Sequence, residues 1–150
     1  MTDDTQVNHR QDQGAAPADT RVAVWPTLRY RDAIAALDFL VDAFGFERAA
    51  VLVSDDGAEV LHAELRWPLG GGVMVGSDRD TPGWPQRAGH AATYVVTDEP
   101  DVLFARARRA GAQVLRDLQD ESYGSRGFVV RDPEGNLWSF GTYAGEQPAG

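Results

Sequence analysis

The stretch Arg126-Gly-Phe-Val-Val-Arg-Asp-Pro-Glu-Gly-Asn-Leu-Trp-Ser-Phe-Gly-Thr-Tyr143 decides the fold of this chain. Two apolar runs flank the turn sequence Asp132-Pro133-Glu134-Gly135. The proline fixes φ for the second position of a type I turn, and the glycine suits the left-handed position that closes a bulged hairpin. The flanking runs therefore predict two paired antiparallel strands. Because side chains alternate between the two faces of a strand, Trp138 and Phe140 are expected together in the core.

Composition limits the classes of partner. The chain has 150 residues, a net charge of −9 and no cysteine. Nucleic acid and anionic membrane surfaces are not expected partners, because their binding needs a positively charged surface. The absence of cysteine excludes disulfides, thiolate ligands and a thiol nucleophile. No apolar run approaches membrane-spanning length and no signal-peptide core is present, so a cytoplasmic protein is expected.

The chain is predicted to contain one domain, built from two halves. Residues 1–20 are polar and predict a disordered tail, and residues 145–150 predict a flexible one. The domain is expected over residues 21–144, with halves at about 21–77 and 90–144. The linker between the halves carries Trp84, a large apolar residue that is expected to cover another part of the molecule.

The two halves follow the same order of signals. Asp32 and Asp98 are each expected to cap a helix, and Gly45 and Gly111 to end it. The two caps are 66 residues apart, and so are the two stops. This repeat predicts an α+β fold of two βαβββ modules that share a sheet, with a helix over one face and a cleft at the other. The predicted strands cover residues 22–30, 46–53, 59–67, 73–77, 90–96, 114–118, 128–130 and 137–140.

The strand over residues 59–67 alternates between two types of face. One face is apolar and is expected in the core; it holds Leu61, Ala63, Leu65 and Trp67. The other face holds Val60, His62, Glu64 and Arg66. Charged and titratable side chains along one face of a strand indicate either a solvent-exposed surface or a functional cavity.

Several motifs resemble those of the vicinal-oxygen-chelate superfamily, which includes glyoxalases, bleomycin-resistance proteins, extradiol dioxygenases and PhnB-like proteins. The motifs are Leu28-Arg29-Tyr30-Arg31-Asp32, Phe44-Gly45-Phe46, His62-Ala63-Glu64-Leu65, Ala110-Gly111-Ala112, Tyr123-Gly124-Ser125-Arg126 and residues 132–138. The resemblance covers about residues 22–143. It implies paired βαβββ modules that form a cupped mixed sheet with helices on its outer face, in a chain that is usually a homodimer.

Metal-dependent members of this superfamily place one ligand on each of four strands. The corresponding positions here are Trp25, Glu64, Ala91 (or His90 if the register shifts by one residue) and Ser139. Only one of these four positions keeps a good ligand, so no metal and no other cofactor are expected. A divalent ion held by Glu64 and His62 is the alternative.

The predicted cleft has an aromatic and polar lining. Its inward residues are expected to be Trp25, Thr27, Arg29, His62, Glu64, Arg66, Ala91, Thr93, Leu137, Ser139 and Gly141, with Trp84, Tyr123 and Arg126 at the rim. Glu64 and His62 are the candidate catalytic residues, as general bases, or else wall residues held by ion pairs and hydrogen bonds. Trp25 has two possible roles, stacking on a planar ligand or packing at a dimer interface. Tyr94 is expected in the core.

Three classes of function follow. The favoured one is a metal-independent binding protein, similar to bleomycin-resistance proteins, that sequesters an aromatic or peptidic compound. The first alternative is a glyoxalase-like lyase, isomerase or dioxygenase that uses Glu64 with or without a metal. The second alternative is a dimeric scaffold whose cleft is vestigial.

Overall fold

Eight strands and two helices make up the part of the chain that the structure describes. This computed structural model describes residues 22–146 and residue 148, so the predicted tail over residues 1–20 lies outside it. The first module contains β1 (Thr27–Tyr30), α1 (Ala33–Phe39) with a π-helical turn (Leu40–Phe44), β2 (Glu47–Val53), β3 (Val60–Arg66) and β4 (Gly72–Ser77). The second contains β5 (Ala92–Val96), α2 (Pro100–Arg109), β6 (Gln113–Asp120), β7 (Arg126–Arg131) and β8 (Leu137–Gly141).

The two modules have the same topology. Each forms a four-stranded sheet, in the orders β1-β4-β3-β2 and β5-β8-β7-β6. In each sheet the first strand pairs in parallel with the last, and the other pairs are antiparallel. The predicted α+β fold of two βαβββ modules is confirmed.

The hairpin of the second module forms as predicted. Phe128 pairs with Phe140 and Val130 with Trp138 across β7 and β8. Gly135 takes a left-handed φ of 96°, which a side chain would disfavour. All four pairing residues are fully or almost fully buried, so the face predicted for the core is correct.

The helices of the two modules differ by one residue at their start. The carboxylate of Asp32 accepts a hydrogen bond from the Ala35 amide at 3.1 Å, as a helix cap does. In the second module the N-cap is Glu99 rather than Asp98, so that prediction is wrong. The caps are therefore 67 residues apart, while the closing glycines, Gly45 and Gly111, are 66 apart. The π-helical turn of the first module absorbs the extra residue.

This one-residue difference inverts the predicted faces of β5. Val95 aligns with Phe140 and is 7% exposed, whereas Tyr94 aligns with Ser139 and is 48% exposed. Thr93 aligns with Trp138 on the helix-covered face. The predictions that Tyr94 lies in the core and Thr93 in the cleft are both wrong. The two modules are 67 residues apart at this strand, not 66 as predicted, and a shift of one residue exchanges the two faces of a strand.

An irregularity at the start of β3 changes two more positions. The β2–β3 ladder shifts register between Leu52 and Val53, whose partners are His62 and Val60. Val60 is fully buried and Leu61 is 37% exposed, so their predicted faces are exchanged. From His62 onward the alternation follows the prediction, because the extra residue of the bulge precedes it.

The two sheets pack through their helix-covered faces. Phe44 of the π-helical turn lies 5.2 Å from Trp138 and 4.8 Å from Phe140, between ring centroids. Phe46 and Trp67 of the first module also contact these two rings. The uncovered faces of the two sheets therefore point away from one shared core. Among the residues that the structure describes, no strand of one sheet pairs with a strand of the other, which corrects the expectation that the modules share a sheet and enclose one cleft.

Candidate functional site

The uncovered face of the first sheet carries three rows of side chains. In the middle row, strand pairing places Thr27 beside Met74, and Met74 beside Glu64. The row on one side of it contains Arg29 beside Gly76, with His62 on the neighbouring strand. In the row on the other side, Arg66 pairs with Gly72. This face thus holds all the candidate residues that the sequence placed in the first module: Trp25, Thr27, Arg29, His62, Glu64 and Arg66.

A pocket of about 120 Å³ lies on this face. It is lined by Thr27, Leu28, Arg29, Leu61, His62, Met74, Val75, Gly76 and Trp84. The indole nitrogen of Trp84 donates to Gln86 Oε1 at 3.1 Å, and Gln86 Nε2 donates to the Thr27 carbonyl at 2.7 Å. Gln86 therefore holds the tryptophan of the linker against the open edge of β1.

His62 and Glu64 lie side by side on β3. His62 Nε2 is 3.8 Å from Glu64 Oε2, and the glutamate side chain is 28% exposed. When the histidine is protonated, this distance allows a weak ion pair. A carboxylate and an imidazole at this spacing can also pass a proton to and from a bound molecule.

Trp25 lies at the other end of the same face. The Arg66 guanidinium carbon is 4.5 Å from the centre of its ring, a cation–π contact. A Cβ atom built on Gly72 would lie 2.9 Å from the Trp25 ring, so the glycine makes room for the indole to lie across the sheet. Trp25 is not among the residues that line the pocket.

The uncovered face of the second sheet is rich in tyrosine. The Tyr94 hydroxyl donates to the Tyr143 carbonyl at 2.6 Å, and the rings of Tyr123 and Tyr143 meet edge to face at 5.9 Å. A Cβ atom on Gly141 would lie 2.8 Å from the Tyr94 hydroxyl, so this ring also lies across a glycine. Burial is the main cause that raises the pKa of Tyr94. Ser139 is next to Tyr94 on this face.

The remaining predicted residues are not brought together with the pocket. Arg126 is in ion pairs with Asp101 at 2.9 Å and Asp120 at 3.2 Å, which raise its pKa. It is therefore held by its own chain rather than directed at a ligand. Tyr123 is largely exposed in the β6–β7 loop. His90 is exposed, and Ala91 packs partly buried against the core.

The four superfamily metal positions do not fit a divalent ion. With the corrected register, the position that opens the second module is Ala92, which aligns with Leu137 on the uncovered face. Neither alanine nor the indole of Trp25 donates an electron pair to a metal, and Ser139 is a weak ligand. No group of three His, Asp or Glu side chains that could hold a metal occurs among the described residues.

Several residues of the pocket escaped the sequence analysis. Met74 and Gly76 lie on β4, which the sequence predicted only as a short strand over residues 73–77, without assigning its faces. Gln86 and Arg79 do not line the pocket but hydrogen-bond to Trp84 and Leu61, which do. Both belong to the linker, where no periodic pattern predicts which way a side chain points. Trp84 gave the one usable signal, because a large aromatic residue in a polar linker needs a surface to cover.

The comparison with protein families decides the relationship. Residues 22–140 match the model of the Glyoxalase/Bleomycin resistance protein/Dioxygenase superfamily. The chain belongs to this superfamily. The match spans both modules, including the open face of each sheet, and it agrees with the resemblance found in the sequence.

Individual relatives extend this result. The chain is 32% identical to the uncharacterized protein Rv0887c of Mycobacterium tuberculosis (strain H37Rv), with 89% of this chain and 81% of that protein covered. The structure of TioX from Micromonospora sp. ML1 is similar, with a TM-score of 0.66, 33% identity and coverage of 79% and 98%. A superfamily member from Sphaerobacter thermophilus shares the fold, with a TM-score of 0.58, 22% identity and coverage of 80% and 97%.

Membrane insertion through a helix is not supported by the described residues. Neither of their helices has the length and apolar character needed to cross a bilayer.

Proposed function

We propose that this chain is a small-molecule-binding protein of the superfamily that binds an aromatic compound without a metal and without turnover. The observation that carries the proposal is the pocket on the first sheet, where Trp84 is held over the strand face by Gln86. An aromatic ring, the flexible thioether of Met74 and a few polar groups are the usual lining of a ligand site. Only one of the four superfamily metal positions, Glu64, has a good ligand, and this supports ligand binding rather than metal-dependent catalysis.

The volume of this pocket supports a site shared between two copies of the chain. About 120 Å³ accepts roughly one aromatic ring, whereas ligand sites usually enclose ~300 Å³ or more. The second sheet offers an uncovered tyrosine-rich face, which cannot reach the pocket of its own chain because the two faces point apart. In a twofold dimer the second sheet of one copy covers the first sheet of the other, twice.

The binding proposal is tested with aromatic compounds and matched variants. Trp84→Ala removes the side chain that covers the pocket, and we expect it to weaken binding at least tenfold while the fold is retained, since Trp84 is exposed. Val102→Ala removes another exposed apolar side chain, on α2 and outside the pocket, and is the control. Calorimetric titration of a panel of aromatic compounds measures both. Unchanged affinity in Trp84→Ala would reject the pocket.

The shared site is tested by mixing two defective variants. Trp84→Ala damages the first-sheet face and Tyr94→Ala the second-sheet face. If each site takes one face from each copy, a mixed dimer contains one site with both defects and one intact site. Binding therefore reappears on mixing. If each site is built within one chain, mixing restores nothing.

Metal independence is tested directly. Protein purified without chelator is offered Zn, Ni, Mn and Fe(II), and the bound metal is measured. We expect far less than one ion per chain. One ion per chain that is lost in Glu64→Ala would favour the enzyme alternatives.

A cytoplasmic location remains a prediction from the sequence.

A second candidate function is a metal-free isomerase or lyase. The 3.8 Å approach of His62 and Glu64 on the pocket side of β3 favours it, because this pair can move a proton. Assays with dicarbonyl and catechol substrates test it. Turnover that is abolished by Glu64→Gln, with retained binding, would establish this function in place of simple sequestration.

A further inference from the structure

Arg29 lies at one end of the pocket. Its side chain leaves β1 and crosses Gly76, and its Nη1 donates to the Ser77 carbonyl at 2.9 Å. A Cβ atom on Gly76 would lie 2.9 Å from Nη1, so the missing side chain makes room for the guanidinium. This placement puts a positive charge in the pocket wall.

A second guanidinium approaches from the linker. Arg79 Nη2 donates to the carbonyl of Leu61, at 3.4 Å, and Leu61 lines the same pocket. Burial and, next, the charge of Arg79 lower the pKa of Arg29, while Asp78 acts in the opposite direction. Asp78 is itself paired with Arg87, at 3.2 Å.

Among the described residues, no carboxylate is paired directly with either arginine, although the charge of Asp78 acts on Arg29. Within residues 22–146, neither Arg29 nor Arg79 takes part in an ion pair. A basic composition does not explain the pair, because the chain has a net charge of −9. The charges of Arg29 and Arg79 repel each other, and an anion bound between them removes that repulsion. The planar guanidinium forks match the geometry of oxyanions such as carboxylate and phosphate.

We propose that Arg29 and Arg79 form an oxyanion-binding subsite at the end of the pocket that Gly76 and His62 line. The subsite takes the carboxylate or phosphate group of the ligand, and the adjoining apolar part of the pocket takes its aromatic ring. The ring placement rests on the proposed function, whereas the oxyanion placement does not. Glu64, beside His62, limits the subsite to the arginine end, because a second negative charge there would repel the ligand.

The subsite is tested first with small anions alone. Inorganic phosphate and acetate are titrated into the full-length protein while the side-chain Nε–H signals of the arginines are followed by NMR. We expect saturable shifts at Arg29 and Arg79, with affinity roughly tenfold weaker in Arg79→Gln. Arg109→Gln removes the same charge at the end of α2 and should change nothing. Linear shifts without saturation, or equal shifts at Arg109, would overturn the subsite.

A geometric variant separates charge from placement. Gly76→Ala keeps both arginines but displaces the Arg29 guanidinium, so phosphate binding is expected to weaken several-fold while the net charge is unchanged. Retained affinity in this variant, with the Arg29 signal still shifting, would show that the position over Gly76 does not matter and would overturn the proposed geometry.

A pair of larger probes distinguishes this inference from the proposed function. 2-Naphthoate and 2-naphthamide have the same ring system, and only the first carries a negative charge. We expect the naphthoate to bind roughly tenfold more tightly to the wild type, with this ratio near one in Arg29→Gln. Equal affinities in the wild type would overturn the subsite and leave the aromatic pocket intact. Saturable phosphate binding without either naphthalene would support the subsite and count against the proposed function.

Discussion

The Tyr30 hydroxyl donates a hydrogen bond to Asp132 Oδ2 at 2.6 Å, and this contact joins the two modules. Tyr30 ends β1 of the first module, and Asp132 opens the β7–β8 turn of the second. The same carboxylate accepts from the Trp138 indole at 3.0 Å and from the backbone amides of its own turn. A buried carboxylate is retained here because hydrogen bonds, rather than a cation, satisfy its oxygens.

Tyr30→Phe is expected to lower the free energy of unfolding by about 1–3 kcal/mol, because it leaves a buried carboxylate oxygen with one fewer donor. Urea unfolding at neutral pH measures this. Tyr94→Phe is the matched control, since that hydroxyl also donates at 2.6 Å, but from an exposed side chain. The control should cost less than about 1 kcal/mol. Equal losses would show that burial of the Asp132 contact adds nothing.

The same contact predicts a loss of stability at alkaline pH. Burial, and then the charge of Asp132, raise the pKa of Tyr30 in the folded state. Above the unfolded pKa of ~10 the unfolded chain releases this proton and the folded chain keeps it, so stability falls as pH rises. Below pH ~10 the contribution is fully present and does not vary with pH.

Each pH unit above that value costs up to about 1.4 kcal/mol for this one group. Unfolding in urea at pH ~9 and ~11 should show a larger loss for the wild type than for Tyr30→Phe. Parallel pH profiles for the two proteins would mean that other groups cause the alkaline loss.

Trp138→Ala is expected to destabilise the fold by about 3–5 kcal/mol, because it opens a cavity where both modules meet. Phe44, Phe46 and Phe140 all pack on this indole. Thermal and urea unfolding measure the change. Trp84→Ala deletes the same side chain at an exposed position and should cost less than about 1 kcal/mol. A near-neutral Trp138→Ala would mean that the face assigned to the core is not the one that holds the sheets together.

The sequence predicted the core contacts correctly where the alternation of apolar residues and the residues of the turn indicated the same structure, as in the hairpin that carries Trp138. The predicted faces of β5 were wrong, because the spacing of apolar residues does not reveal the π-helical turn of the first module. A single inserted residue there moved Tyr94 from the predicted core to the open face. The pocket was only partly predictable for a different reason. Arg79 and Gln86, which hydrogen-bond to residues of the pocket, lie in the linker. There the direction of a side chain depends on tertiary contacts alone.

Arg106→Gln is expected to cost about 1 kcal/mol of stability, because this guanidinium joins the helices of the two modules. Its Nε and Nη2 donate to the carbonyls of Asp42 and Val41, at 2.7 and 2.9 Å, in the π-helical turn of the first module. The Val41 carbonyl also accepts from the Gly45 amide at 3.0 Å. Urea unfolding measures the cost. Arg109→Gln, in the last turn of the same helix, controls for the lost charge. Identical unfolding curves for the two variants would mean that these hydrogen bonds contribute nothing beyond general charge.

Glu64→Gln and His62→Ala are expected to leave the fold intact and to change ligand binding, because both side chains lie on the uncovered face of β3 and neither packs in the core. Far-UV circular dichroism and urea unfolding check the fold, and calorimetric titration with 2-naphthoate checks binding. Glu64→Gln removes the negative charge near the proposed oxyanion subsite, so it should tighten naphthoate binding a few-fold at low salt. His62→Ala should weaken it, because the imidazole lines the pocket. Unfolding of both variants would instead show that the pair holds the sheet together.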